Sequence, residues 1–361
     1  MKWRLCQPFE KPLEAHLFLT HACNMKCLHC WYSAGTPFEG ELKTNAWLNV
    51  IDQCSDFGMF YVTLNGGEPL MRSDIWEIIE YLEKTRLHWR LFTNGSLLNY
   101  EHIQKLADSD YLLTVQISLD GLTPNSYAGL RGVNCLEKVV DNIKKLVREG
   151  VPVEISSVVY CGNYDELPRI IEFAASLGVP LAIDNILPIG RGLDLWKEGK
   201  AIWLSDEERD RLNELAREVG LPTSIKSVKF GREHVSGIYC RGADAYIHVG
   251  PRGELVPCQF GLLPPFYKDF KVPNIRDMDL VDFWHSEFFE WFRNICDQPK
   301  RGEFCSACKF KESCMGCPCV SYLLFGELIG PSTECLRDYK RLGIPDEIVK
   351  KYLLKIFTVK H

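Results

Sequence analysis

Cys23-Asn24-Met25-Lys26-Cys27-Leu28-His29-Cys30 follows an apolar run over 15–20 that reads as a β-strand. Three thiolates on one short loop can grip a soft metal centre at three points and leave one coordination position open. An open position signals chemistry, because a purely structural site is closed by four protein ligands. Zinc fits the same spacing, with His21 or His29 as the fourth ligand.

Outward from this loop the chain alternates. Strands are expected over 60–64, 89–93, 112–119, 153–160 and 181–187. Helices are expected over 42–57, from a Ser73 cap to 85, and over 100–108, 136–149 and 164–177. Six strands alternating with helices predict a parallel α/β architecture, an open or closed barrel with right-handed crossovers. Function in such folds gathers at the carboxyl ends of the strands. There lie Gly66-Gly67-Glu68-Pro69, Asn94-Gly95, Ser118-Leu119-Asp120-Gly121 and Gly190-Arg191-Gly192.

Each loop has its chemistry. Gly66 and Gly67 let a ligand approach the backbone, and Glu68 adds an acceptor for an ammonium group. Ser118 and Asp120 alternate on one strand, point the same way and suit ribose hydroxyls, with Asn94 as a further contact. Arg131 can clamp a carboxylate bidentately. Arg191 binds a substrate carboxylate or caps a strand end, and Ser156 is a weaker candidate. No residue is singled out as the catalytic group.

The chain has 361 residues, 46% hydrophobic and 25% charged, with a net charge of −6. This excludes a strongly basic nucleic-acid binder. No signal-peptide core and no membrane-length apolar run is present, so a cytoplasmic protein is expected. Of 16 cysteines, Cys6, Cys54, Cys135 and Cys161 stand apart and read as small buried residues. Most others crowd between Cys240 and Cys335. Without a signal peptide, such clustering reads as metal or cluster ligation rather than disulfides. Short strands with a hairpin tip at Pro251-Arg252-Gly253 are expected there, and Trp284, Phe288 and Trp291 look like an aromatic stripe on one helix.

The C-x3-C-x2-C loop, the Gly-Gly-Glu-Pro loop and the arginine after the fourth strand resemble those of the radical S-adenosylmethionine (SAM) enzymes. The later cysteines resemble the SPASM extension of that family. The resemblance spans about 12–340. It implies a partial (β/α)6 TIM-type barrel over 1–203, a bridging helix and linker over 204–234, a small cysteine-rich SPASM domain over 235–340 and a C-terminal helix over 341–361. It implies SAM, a [4Fe–4S] cluster on Cys23, Cys27 and Cys30, and one or two auxiliary iron–sulfur clusters. His29 then packs beside the adenine instead of ligating. Gly66, Gly67 and Glu68 bind the SAM amino group, Arg131 its carboxylate, and Asn94, Ser118 and Asp120 its ribose. Cys305, Cys308, Cys314 and Cys335 hold the distal auxiliary cluster. The family's next cysteine would fall at Pro318, flanked by Cys317 and Cys319, and another at Tyr246. This mismatch motivates a proximal cluster on Cys240, Cys258, Cys317 and Cys319.

The implied reaction is one-electron cleavage of SAM to a 5′-deoxyadenosyl radical that abstracts hydrogen from a substrate. Phe60-Tyr61-Val62, 115–121 and Gly190-Arg191-Gly192-Leu193 resemble the mycofactocin-type maturases, which act on small precursor peptides. A peptide or small-molecule substrate and an electron donor such as flavodoxin or ferredoxin are the expected partners. The 22 residues before Cys23 leave no room for a peptide-recognition domain, so a separate carrier protein or direct docking is expected. The alternatives are a cofactor-pathway enzyme, as in haem synthesis or metal-cofactor maturation, and a non-catalytic zinc or iron–sulfur scaffold.

Overall fold

The computed structural model describes residues 9–221, 223–225, 242, 244–295, 301–312, 314 and 316–359. Cys6 and Cys240 lie outside the described residues. The chain divides into two compact units, one of 17–55 and 60–227, the other of 1–16, 56–59 and 228–361.

In the first unit, strands β1 (Glu14–Phe18, its last two residues), β2 (Tyr61–Asn65), β3 (His88–Thr93), β4 (Leu112–Ser118), β5 (Val153–Val159), β6 (Leu181–Asn185) and β7 (Thr223–Ile225) follow the spatial order β7-β6-β5-β4-β3-β2-β1. Every pair from β2 to β7 is parallel. The connections are α1 (Thr44–Asp56), α2 (Ile75–Thr85), α3 (Tyr100–Ala107), α4 (Pro124–Arg131) with α5 (Leu136–Arg148), α6 (Leu167–Leu177), and α7 (Gly192–Lys197) with α8 (Asp206–Glu218). This is the expected partial barrel.

Alternation decides which strand face is covered. In β5, Val153, Ile155, Ser157 and Val159 are buried, whereas Glu154, Ser156 and Val158 are half-buried. In β3, Trp89 and Leu91 are fully buried. The Trp89 Nε1–H donates to Glu83 on α2 at 2.6 Å, so this face meets the helices. The helices answer with apolar stripes, Val139, Ile143 and Leu146 on α5 and Ile78, Ile79 and Leu82 on α2.

Three local expectations change. The helix expected from Ser73 starts at Ile75, because the Asp74 carboxylate is taken by Arg72 and the Thr44 hydroxyl and makes no cap bond. An additional helix, α4, starts from a capping box between Thr123 and Ser126 with Pro124 in its first turn. The charged helix read as a solvated bridge is amphipathic. Its Arg209, Leu212 and Ala216 are buried, and it leads to β7, which pairs with β6.

In the second unit, β8 (Tyr246–Val249) and β9 (Leu255–Val256) form an antiparallel hairpin. Its turn carries Gly253 at φ +92°, a conformation that favours glycine. The aromatic stripe is split between two short helices, Leu280–Trp284 and Glu287–Arg293. Ser286 caps the second, and Phe289 and Phe292, not Phe288 and Trp291, are its buried residues. A C-terminal helix spans Asp346–Thr358.

The Glu83 carboxylate accepts from Trp89 Nε1, the Ser109 hydroxyl and the Asp110 amide, and so pins α2 to β3 and the turn before β4. Glu83→Ala strands a buried indole N–H and is expected to cost about 1–3 kcal/mol in urea denaturation followed by tryptophan fluorescence. Glu83→Gln should recover part of the loss, and an unchanged midpoint for Glu83→Ala would contradict this role.

Candidate cofactor site at the carboxyl ends of the strands

The cysteine loop leaves β1 and is held by its neighbours' backbone. Gly67 N–H donates to Thr20 O at 2.7 Å and Glu68 N–H to Ala22 O at 2.8 Å. A Cβ on Gly66 would lie 2.5 Å from Thr20 O, and one on Gly67 2.3 Å from Ala22 O. The two glycines therefore admit the loop's own backbone, where sequence reasoning had expected a ligand. Arg191 closes the other side, with Nε to Cys27 O at 2.7 Å and Nη1 to Ala34 O at 2.9 Å. Gly190 beneath it, at φ +56°, has no room for a Cβ against Trp31 O at 2.3 Å. Arg191 thus straps the loop and does not cap a strand.

Glu41 fastens the loop's entry by accepting from Thr20 Oγ1, His21 N and Phe38 N at 2.8–2.9 Å. His21 faces Thr36 O and Tyr32 O through its two ring nitrogens and stacks on Phe38 at 4.0 Å. It is engaged by the loop and does not stand as a fourth metal ligand. Burial pushes the His29 pKa down to about 4, which keeps its imidazole neutral.

The charged groups cluster behind Cys27. Arg131 Nη1 lies 3.7 Å from Cys27 Sγ. Its Nε lies 2.5 Å from Asp120 Oδ2, an ion contact whose N–H direction does not complete a hydrogen bond. Burial works against the Arg131 charge, but Asp120 and then Cys27 outweigh it and hold the guanidinium protonated. Asp120 is fully buried, and its Oδ1 also accepts Val158 N–H at 2.7 Å. It is therefore the counter-ion of Arg131 and is withdrawn from the surface that a ribose could reach.

Glu68 is fully buried as well, accepting from Thr93 Oγ1 and Asn94 N at 2.7 Å and from Leu70 N at 3.2 Å. Burial raises its pKa, and these three bonds work against the rise. The Asn94 side chain donates to Asn24 Oδ1 at 2.9 Å, and Asn24 donates to Ser96 Oγ at 2.8 Å. Asn24 and Ser96 were not singled out in the sequence, although Asn24 sits inside the opening motif. Ser118 stays half-exposed, with Ser156 beside it in register. Direct contacts thus join Asp120, Arg131, Cys27 and Cys30 in one group and Glu68, Asn94 and Asn24 in another, Gly66 and Gly67 pack on the Thr20–Ala22 backbone that leads to Cys23, and Ser118 lies in register with Ser156 on the neighbouring strand.

Burial raises the Cys23 thiol to about 11 and raises Cys27, with Arg131 pulling the latter back. The three sulfurs also repel one another's charge, so they share one neighbourhood. A second set lies in the other unit. Cys305, Cys308, Cys314 and Cys335 line one small apolar cavity with Phe304 and Ile329. Burial and mutual repulsion raise Cys305, and burial pushes Cys335 up to about 12. Phe310 N–H points at Cys308 Sγ, Gly316 N–H at Cys314 Sγ and the Ser332 hydroxyl at Cys335 Sγ, at 3.3–3.5 Å. Cys319 hydrogen-bonds Cys258 and holds that thiol below its ordinary range. Cys317 stands before the helix Pro318–Phe325, while Cys240 lies outside the described residues.

Among the described residues no group of three or more His, Cys, Asp or Glu side chains stands ready as a metal-ion site. The fit to iron–sulfur clusters is one of donor chemistry: soft thiols in threes and fours, half-buried to buried, with N–H and guanidinium donors aimed at sulfur. Gly67→Ala would drive a Cβ into a backbone carbonyl that cannot step aside. It is expected to lose about four irons per reconstituted chain while the SPASM iron remains. Iron counting with electron paramagnetic resonance checks this, and full iron in the variant would refute the packing argument.

A family model for the radical SAM superfamily matches residues 17–174, and one for an iron–sulfur cluster-binding domain, SPASM, matches residues 240–309. The mycofactocin maturase MftC of Mycolicibacterium smegmatis is 31% identical over 96% of this chain and 89% of its own length. An AdoMet-dependent heme synthase of Methanosarcina barkeri is 27% identical over 88% of this chain and 94% of its own. The crystal structure of Streptococcus suis SuiB bound to S-adenosylmethionine superposes with a TM-score of 0.73 at 21% identity, covering 90% of this chain and 77% of that one. No described helix is long and apolar enough to cross a membrane. The chain belongs to the radical SAM superfamily of enzymes, which work with S-adenosylmethionine and a [4Fe–4S] cluster, and it also carries the SPASM domain that binds auxiliary iron–sulfur clusters.

Proposed function

We propose that this protein is a radical SAM maturase whose substrate is a peptide, and that Cys23, Cys27 and Cys30 hold its catalytic cluster. The observation that carries the site assignment is the three-thiol loop locked by Gly66, Gly67 and Arg191, with a buried guanidinium on Cys27. The likeness to MftC over nearly the whole of both chains supports a peptide substrate.

When bound, SAM and the cluster supply one-electron chemistry that yields a 5′-deoxyadenosyl radical able to take a hydrogen atom from the substrate. The protein's own residues orient and shield. Arg131, paired with Asp120, stays protonated beside Cys27 and is the cation nearest the cysteine loop that a SAM carboxylate would meet. Glu68 fixes Asn94 by its backbone N–H, and the Gly66–Glu68 segment presents the surface for the SAM amino group. Ser118 is the group left for a ribose hydroxyl.

Cys305, Cys308, Cys314 and Cys335 form the distal auxiliary ligand set. Cys240, Cys258, Cys317 and Cys319 form the proximal set, and the contact between Cys258 and Cys319 supports that pair within it. Electrons come from a flavodoxin- or ferredoxin-type donor, and the peptide docks directly or on a separate carrier. The likeness to a heme synthase supports a cofactor-pathway substrate as the second reading.

Reconstituted protein given SAM and dithionite is expected to form 5′-deoxyadenosine. Cys27→Ala should abolish it, with auxiliary iron retained; persistent cleavage would refute the ligand assignment. Cys319→Ala and Cys317→Ala should each lower iron and sulfide, and a proximal cluster intact in either would end the four-ligand proposal. Co-expression with short reading frames beside the gene should give a peptide of altered mass. An unaltered peptide together with turnover of a tetrapyrrole would decide for the second reading.

A further inference from the structure

The inner face of the β2–β6 sheet, opposite the helices, carries polar side chains that the fold does not use. Parallel register sets Phe92, Gln116 and Glu154 in one row, with Arg90 one layer farther from the carboxyl ends of the strands. Among the described residues Arg90 has no carboxylate partner. Its guanidinium lies 4.4 Å over the Tyr61 ring, and its Nε is buried without a hydrogen-bond acceptor. Stacking satisfies the face of a guanidinium and leaves its N–H fork unused. A buried donor without an acceptor is costly, and an acceptor brought by a ligand would relieve that cost.

We propose that Arg90 binds the terminal carboxylate of the substrate peptide, an inference that rests on the peptide reading above. A guanidinium fork matches a carboxylate bidentately, and the Tyr61 ring backs the position with apolar surface. Depth selects a chain end over an acidic side chain. Arg90 precedes Asn94 by four residues, about 13 Å along the strand from the loops that surround the cysteines. A chain end held there leaves a few extended residues to reach the strand ends, where the radical SAM site lies. Gln116, whose side chain makes no hydrogen bond among the described residues, borders that path and can meet peptide amides.

The test uses reconstituted holoenzyme and a synthetic peptide encoded beside the gene, made as the free acid and as the C-terminal amide. For the wild type, the KM of the amide should exceed that of the acid by about 10- to 100-fold, the range of one charge-assisted pair. Arg90→Gln should raise the acid's KM to that of the amide, leave the amide's KM in place and change kcat by less than about threefold. Arg90→Lys should restore part of the discrimination. A role in folding alone would raise both KM values together, and that result overturns the proposal. Equal KM values for acid and amide in the wild type overturn it while the peptide reading stands. No modification of either peptide by the wild type overturns both.

Discussion

The cysteine loop has no regular structure, so its shape depends on who claims its backbone carbonyls. An irregular loop in a folded interior must find partners for every polar backbone group. Here Thr20 O and Ala22 O go to the amides of Gly67 and Glu68, and Cys27 O and Ala34 O go to the Arg191 guanidinium. Two other strand ends, those of β2 and β6, thus fix where the thiols stand. The glycines belong to the same constraint, because the carbonyls can be reached only where no Cβ intervenes.

Charge follows from this placement. Two carboxylates, Glu68 and Asp120, are buried beside the loop and are handled differently. Glu68 makes no ion pair among the described residues and relies first on three hydrogen bonds, with Arg131 acting on it at a distance. Asp120 has Arg131, and Arg131 has Cys27 on its far side. Breaking such a buried pair by removing one partner costs about 3–5 kcal/mol, so Asp120 and Arg131 stand or fall together. The arrangement gives one thiol a permanent positive neighbour, which suits a ligand that must lose its proton to bind iron.

Much of this was legible in the sequence because it is local. The strand–helix alternation, the cysteine spacing and the Gly-Gly-Glu loop are periodic or contiguous, and the structure keeps them. What could not be read was who meets whom. Arg191 reaches a carbonyl 164 residues away in the chain, and nothing near it announces that partner. Arg131 was visible as a functional arginine, but its pairing with Asp120 required the fourth strand and α4 to be brought together. Asp120 was read as a ribose contact from strand alternation and the family resemblance, which give direction and position but not depth. The helix Asp206–Glu218 was misread for a related reason. Its charges dominate the composition, while the burial of Arg209, Leu212 and Ala216 rests on only three positions.

The two faces of the sheet divide the work between fold and specificity. The face toward the helices is closed by Trp89, Leu91, Ile117 and Ile155, all fully buried, and it cannot change without loss of packing. The lock on the cysteine loop combines the Gly67 and Glu68 amides with the Arg191 and Glu41 side chains, so it too is fixed by the fold. Part of the inner face is under neither restraint. Arg90, Gln116, Glu154 and Ser118 are half-buried and make no hydrogen bonds through their side chains among the described residues. A family built this way can keep one radical-generating core while its members bear names as different as mycofactocin maturase and heme synthase. On the inner rows of the sheet, Arg90 has no carboxylate partner among the described residues and stacks on the Tyr61 ring instead, so this face of the barrel differs in kind from the closed face toward the helices.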